Sequence, residues 1–221
     1  SAEKVPSDWD EMVIGQWYDI IETSDKIPWQ VKCDPRLEGR MYCLLQADSI
    51  YRPAISNDYG QTWLIWEDGL ESGYVNHILG NIWFEIRFYN NTEVQFYLSA
   101  QIHDSEKREI TSAIFIANSA GESWQKVCQL NNIGYEGPIT ALAISNSGKI
   151  IFGSVKNGGI NGLCLSTNNG QDWETVWSHP EQAAGFFRDI KFSTANENIA
   201  YSALEYPGYL LLKTIDGGQS W

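Results

Sequence analysis

The chain has 221 residues, 43% of them hydrophobic and 19% charged, a balance that excludes disorder and leaves ample length for a core. A net charge of −13 argues against a nucleic-acid backbone or an anionic membrane surface as partner, since both need clustered Lys and Arg. No run approaches 18 apolar residues, so no inserted helix is expected; without an initiator Met or a signal-like run, the chain suits a processed secretory protein or a piece expressed on its own.

The first strand-like run is IGQWYDIIET at 14–23, with too few residues before it for a module of its own. Next come WQVKC (29–33), RMYCLLQ (40–46) and IYRPAIS (50–56), then SNDYGQTW and a fourth run, WLIWE (63–67). The order repeats with WFEIRFY (83–89), EVQFYLSA (93–100), SAIFIA (112–117), ANSAGESW and WQKVCQL (124–130). It returns as ITALAIS (139–145), KIIFGSV (149–155), LCLS (163–166), STNNGQDW and WETVW (173–177). FFRDIKF (186–192), NIAYSAL (198–204) and YLLLKT (209–214) lead into the closing TIDGGQSW. The turn tryptophans Trp63, Trp124, Trp173 and Trp221 are 61, 49 and 48 residues apart. Four short strands per period, with no sustained helical periodicity, predict an all-β propeller of four-stranded antiparallel blades rather than a β-sandwich or a helical solenoid. The blades are expected at about 28–67, 82–130, 138–177 and 186–221, within one domain spanning 1–221.

The recurring turn can be read from its chemistry. Asp or Asn folds back to accept backbone amides, Gly supplies a positive φ, and Trp packs its face on the sheet with its N–H near solvent. Nothing in it activates water or a nucleophile. Ser56, Asp58, Gly60, Thr62 and Trp63 match Ser/Thr-x-Asp-x-Gly-x-Thr-Trp in full, and Thr214, Asp216, Gly218, Ser220 and Trp221 match with one conservative change. Asn168, Gly170 and Trp173 keep most of it, with Asp172 at the Thr position; Gly121 and Trp124 survive where Ala117 and Ser119 replace the hydroxyl and the acid. This pattern resembles the Asp-box, or bacterial neuraminidase repeat, of the sialidase, sortilin and xyloglucanase-like propellers. The resemblance implies that the boxes are structural turns between third and fourth strands, away from the ligand face. It also implies rings of six or more blades. Residues 15–21 would then complete either the last blade of this chain, closing a ring of four, or a later blade of a longer ring; the family pattern favours the second.

A sialidase site needs an arginine triad, a Tyr–Glu pair and an acid. The one near match to its first arginine motif, Tyr51-Arg52-Pro53, runs straight into the first box, so the sequence is not a recognisable sialidase. The four cysteines form no CxxC pair; Cys33 and Cys43 could bridge a hairpin, or all four could be buried thiols. His77, His103 and His179 are isolated, and no metal or cofactor is expected. Asn90-Asn91-Thr92 is a glycosylation sequon. What remains is the loop face, formed by 68–81, 101–111, 131–138, 156–162, 178–185 and 205–208. It holds Tyr74, His77, Tyr135, Glu136, Lys156 and Glu205, with Tyr209 following. Aromatic rings beside carboxylates suit sugar or peptide contacts. The expectation is a non-catalytic propeller outside the cytoplasm that binds a glycan, peptide or protein partner. The alternative is a glycoside hydrolase of this class whose site lies partly in further blades.

Overall fold

Alternating apolar positions and β-branched residues on either side of glycine turns give fifteen described strands in a computed structural model of the chain. It describes residues 27–47, 50–70, 83–88, 93–104, 109–156, 158–180, 185–205 and 208–221. The expected closing strand at 15–21, together with Tyr74, His77 and the sequon, lies outside these residues. The chain divides into two compact units, one carrying the first sheet up to Trp66 except residues 49–51, and the other those residues with the sheets from Glu67 to Trp221.

In the first unit, β1 (Ile27–Cys33), β2 (Met41–Ala47), β3 (Ile50–Ser56) and β4 (Leu64–Ile65) form an antiparallel meander in that order. The fourth strand is two residues long rather than five. A bulge interrupts the β1–β2 register between Trp29 and Lys32, where Gln30 takes φ 53°. The β1–β2 turn is built on Asp34, whose carboxylate takes both ends of the Arg36 fork (Nε 2.9 Å, Nη2 2.8 Å), the Arg36 amide and the Tyr42 hydroxyl (2.8 Å). Burial works to raise the Asp34 carboxyl, but these donors outweigh it and hold the group at about 2. Cys33 and Cys43 are free thiols, the first exposed and the second buried, so no bridge staples this hairpin.

The second unit contains three sheets. The first holds β5 (Phe84–Phe88), β6 (Val94–Asp104), β7 (Glu109–Ala117) and β8 (Gln125–Gln129). The next holds β9 (Ala141–Ile144), β10 (Ile150–Lys156), β11 (Ile160–Ser166) and β12 (Glu174–Ser178). The last has three strands among the described residues, β13 (Phe186–Phe192), β14 (Ala200–Glu205) and β15 (Tyr209–Thr214). Each sheet runs in sequence order, the meander of a propeller blade, and the fold is the expected all-β propeller class.

Two buried seams join the blades of this unit. Tyr97, Ile114, Cys128, Phe152 and Cys164 pack between its first and second sheets. Ala141, Ile151, Leu163, Leu165, Phe187 and Ile190 pack between its second and third. Burial pushes the Cys128 and Cys164 thiols up to about 12, which suits small core hydrophobes rather than nucleophiles. Two loop expectations need correction. The β6–β7 hairpin continues through Asp104 and resumes at Glu109, so most of 101–111 is strand. Leu130, expected to end a strand, instead opens a 3-10 turn, Leu130–Ile133, which is capped by Gly134 at φ 81° and begins the 131–138 loop.

Candidate functional site

The first and last box turns are held by one hydrogen-bond scheme. In the first, Ser56 Oγ accepts the Gly60 amide at 2.8 Å, while Asp58 accepts the Thr62 amide at 2.9 Å and the Thr62 hydroxyl at 2.6 Å. The last repeats it through Thr214, Gly218, Asp216 and Ser220, with 3.0 Å for both amide bonds. Burial opposes ionisation of Asp58, yet the Thr62 and Ser56 hydroxyls and the Thr62 amide hold its carboxyl below the usual range. The Ser220 hydroxyl, then Thr214 and the Ser220 amide, do the same for Asp216.

The third box inverts the scheme. Asn168 still accepts the Asp172 amide at 2.9 Å, but its own Nδ2 now donates to Asp172 Oδ2 at 2.7 Å. Acid and neutral partner have exchanged places. In the worn second box, Glu122 N donates to the Ser119 carbonyl at 3.3 Å and Gly121 holds φ 87° without an acid.

The tryptophan expectation is corrected. Trp173 Nε1 donates to the Gly170 carbonyl at 2.9 Å and Trp221 Nε1 to the Gly218 carbonyl at 3.0 Å, so these two indoles close their turns instead of reaching for water, while the Trp63 N–H is buried in the first. A Cβ on Gly170 would meet Val127 Cγ2 at 2.9 Å, and one on Gly218 would meet Ile151 Cδ1 at 2.6 Å. Two boxes therefore seat their glycines against the preceding blade. All these groups are bonded to one another, and the boxes present no reactive group.

The opposite ends of the strands carry the remaining candidates. Tyr135 is no surface ring: it is 0% exposed, edge-on to Phe152 at 5.2 Å, with its hydroxyl 3.1 Å from Thr175 Oγ1. Burial drives that hydroxyl above the usual phenol range. The Leu130–Ile133 turn and Gly134 swing the ring inward, which corrects its expected place as a ligand contact. Glu136 is exposed and accepts the Gly158 amide at 3.2 Å, and Lys156 Nζ donates to Ser178 Oγ at 3.3 Å. These two brace neighbouring loops of the middle blade.

On the last blade the structure brings two candidates together. Phe186 pairs with Glu205 and Glu205 with Tyr209, so three side chains on three strands form one row on one face. Tyr209 is 90% exposed and Phe186 50%. Arg188, at a bulge in β13, ion-pairs with Glu205 and sets its guanidinium 6.0 Å over the Phe186 ring. Phe186 and Arg188 fall within the apolar run at 186–192, where nothing in the sequence marks them as contacts.

Set box against box and register against register, the last and middle blades differ on the face that carries Phe186. Lys213, Tyr201 and Lys191 stand where the middle blade has Leu165, Ile151 and Ala143; Asp189 stands where it has Ala141. Those four middle-blade residues form a buried seam, whereas Lys213, Tyr201 and Lys191 are exposed. Among the described residues no three His, Cys, Asp or Glu side chains cluster to hold a metal ion, and no helix is long and apolar enough to cross a membrane.

No protein-family model and no curated protein matches the chain. Solved structures do. Trypanosoma rangeli sialidase aligns at TM-score 0.53 and 14% identity, over 90% of this chain and 37% of its own. A mutant of that enzyme displaying trans-sialidase activity aligns at 0.51 and 13%, with the same coverage. A protein of unknown function from Dyadobacter fermentans aligns at 0.54 and 10%, over 90% and 68%. The chain thus spans 37% of the length of the sialidases it matches, and the likeness is one of fold.

Proposed function

We propose that this is a non-catalytic binding propeller of the Asp-box class, acting outside the cytoplasm, which recognises a glycan, peptide or protein through the loop-bearing ends of its blades. The observation that carries the reading is the row Phe186–Glu205–Tyr209, where a 90% exposed tyrosine and a half-exposed phenylalanine flank an ion-paired carboxylate. Exposed aromatic rings beside fixed polar groups are common features of a recognition surface. The box hydrogen bonds support the Asp-box assignment, since two boxes share one scheme and a third preserves it with donor and acceptor exchanged. The net charge of −13 disfavours a nucleic acid as the partner.

A glycoside hydrolase is the second reading, favoured by the exposure of Glu136 at the same strand ends as Glu205. A hydrolase needs a carboxylic acid with a raised pKa. The carboxyl groups displaced among the described residues, Asp34, Asp58, Glu197 and Asp216, all move down. Screening the chain against glycans for binding and for release of reducing ends separates the two. Retention without turnover is expected, and turnover lost in Glu205→Gln or Glu136→Gln would establish the hydrolase.

A further inference from the structure

We infer that Phe186, Arg188, Glu205 and Tyr209 form a subsite for an uncharged oligosaccharide; this rests on the binding reading and names its ligand class. Three features point there. The polar centre of the row is already neutral. Arg188 and Glu205 are paired, so an anionic ligand must compete with Glu205 for the guanidinium, and a cationic one with Arg188 for the carboxylate. The pair nevertheless keeps guanidinium N–H donors and carboxylate lone pairs beyond their mutual bond, fixed side by side. That is the pattern that neighbouring hydroxyl groups of a sugar satisfy, each both donating and accepting.

The two rings supply the apolar half of the contact. Phe186 and Tyr209 sit on β13 and β15 with one strand between them, so they are about two strand spacings, roughly 10 Å, apart. This separation exceeds one sugar ring and suits a chain of two or three, its end rings laid on the aromatic faces and its middle hydroxyls over Arg188–Glu205. Finally, this face differs from the buried seams between blades. Lys191 and Lys213 occupy positions that are Ala143 and Leu165 on the middle blade, and Lys213 lies 5.8 Å over the Tyr201 ring. Those two charges keep the box-side end of the face wet, while Leu211, between Lys213 and Tyr209, remains an exposed apolar contact. The chain's overall charge also disfavours polyanions at this face.

The test is a titration of the whole chain with neutral glucose, mannose and galactose trisaccharides, with sialyllactose and tri-glucosamine as charged probes. It is read by calorimetry and by the ring resonances of Tyr209 and Phe186. A neutral trisaccharide is expected to bind, to shift both rings, and to outbind its monosaccharide. Its affinity should stay constant between about 0.05 and about 0.5 M salt, because no ion pair forms. Tyr209→Ala, at a site too exposed to disturb folding, should weaken it about tenfold, and Lys213→Ala should leave it unchanged. Salt-sensitive binding of a charged probe alone, or neutral binding indifferent to Tyr209→Ala, overturns the inference. If no sugar binds but a peptide library shifts Tyr209, the sugar assignment fails and the binding reading stands. If nothing shifts Tyr209, both fall.

Discussion

The exchanged donor and acceptor in the third box can be reversed by mutation. Asn168→Asp leaves the bond from the Asp172 amide in place but sets a second carboxylate oxygen where Nδ2 stood, 2.7 Å from Asp172 Oδ2. One hydrogen bond to a charged group is lost, costing about 1.5 kcal/mol at a partly exposed turn. Repulsion between unit charges at that distance adds about 1.5 kcal/mol even at the dielectric of water. Rotation of Asp172 into solvent relieves part of this, so the net cost is about 2 kcal/mol, or a melting temperature lower by about 4–8 °C. Asp172→Thr alone should cost under about 0.5 kcal/mol, because a hydroxyl can still accept from Nδ2. The double variant recreates the bonds that Asp58 and Thr62 make, and should lie within about 0.5 kcal/mol of the parent.

Urea unfolding followed by tryptophan fluorescence measures all four corners of the cycle. Acid supplies a second check. In acid a single proton held between the two facing carboxyls of the Asn168→Asp variant turns their repulsion into a hydrogen bond, so the penalty of that substitution should fade as the pH falls. A single variant as stable as the parent at pH 7, or a double variant no better than the single, would refute the reasoning.

Gly218→Ala should destabilise more than Gly121→Ala, since both have positive φ but only the first would press a Cβ on Ile151; thermal melts of the two variants decide it. Tyr135→Ala should cost about 3–5 kcal/mol in urea unfolding while Tyr135→Phe costs about 1, and neither should alter a ligand contact on the last blade. Asp34 has a folded pKa of about 2, below its unfolded value, so its contribution is full above about pH 4 and disappears as pH falls through 2. The stability difference between the parent and Asp34→Asn, about 2 kcal/mol at pH 7, should therefore close between about pH 5 and about pH 2.

Strand order was legible because each box fixes the phase of the three strands before it. The strands β3, β13 and β15 run over the residues that the apolar pattern marked. Length was harder to read where polarity misled. Gln101 to Asp104 carries no apolar alternation, yet it pairs with β7 as far as Asp104 opposite Glu109, because the backbone ladder does not depend on side-chain polarity. Tyr135 was unreadable for a related reason. It stands in the polar, glycine-flanked stretch NNIGYEGP, and only the 3-10 turn ending at Gly134 shows that its ring points inward.

The Phe186–Arg188–Glu205–Tyr209 row is a cross-strand object. Its members are up to 23 residues apart in sequence and become neighbours only through the β13–β14 and β14–β15 registers. Glu205 is expected in the 205–208 loop and Tyr209 at the start of the strand that follows it. Phe186 and Arg188 became visible once their strand was placed beside them.

The central claim is that the last blade binds a ligand at Tyr209 without transforming it. Its most direct test follows the Tyr209 and Phe186 ring resonances during a glycan titration while the same sample is assayed for released reducing ends. The account predicts saturable shifts at both rings with no product, and in Tyr209→Ala a Phe186 shift that saturates only at about tenfold higher ligand. Product formation that disappears in Glu205→Gln, or a bound ligand that leaves both rings unmoved, would contradict it.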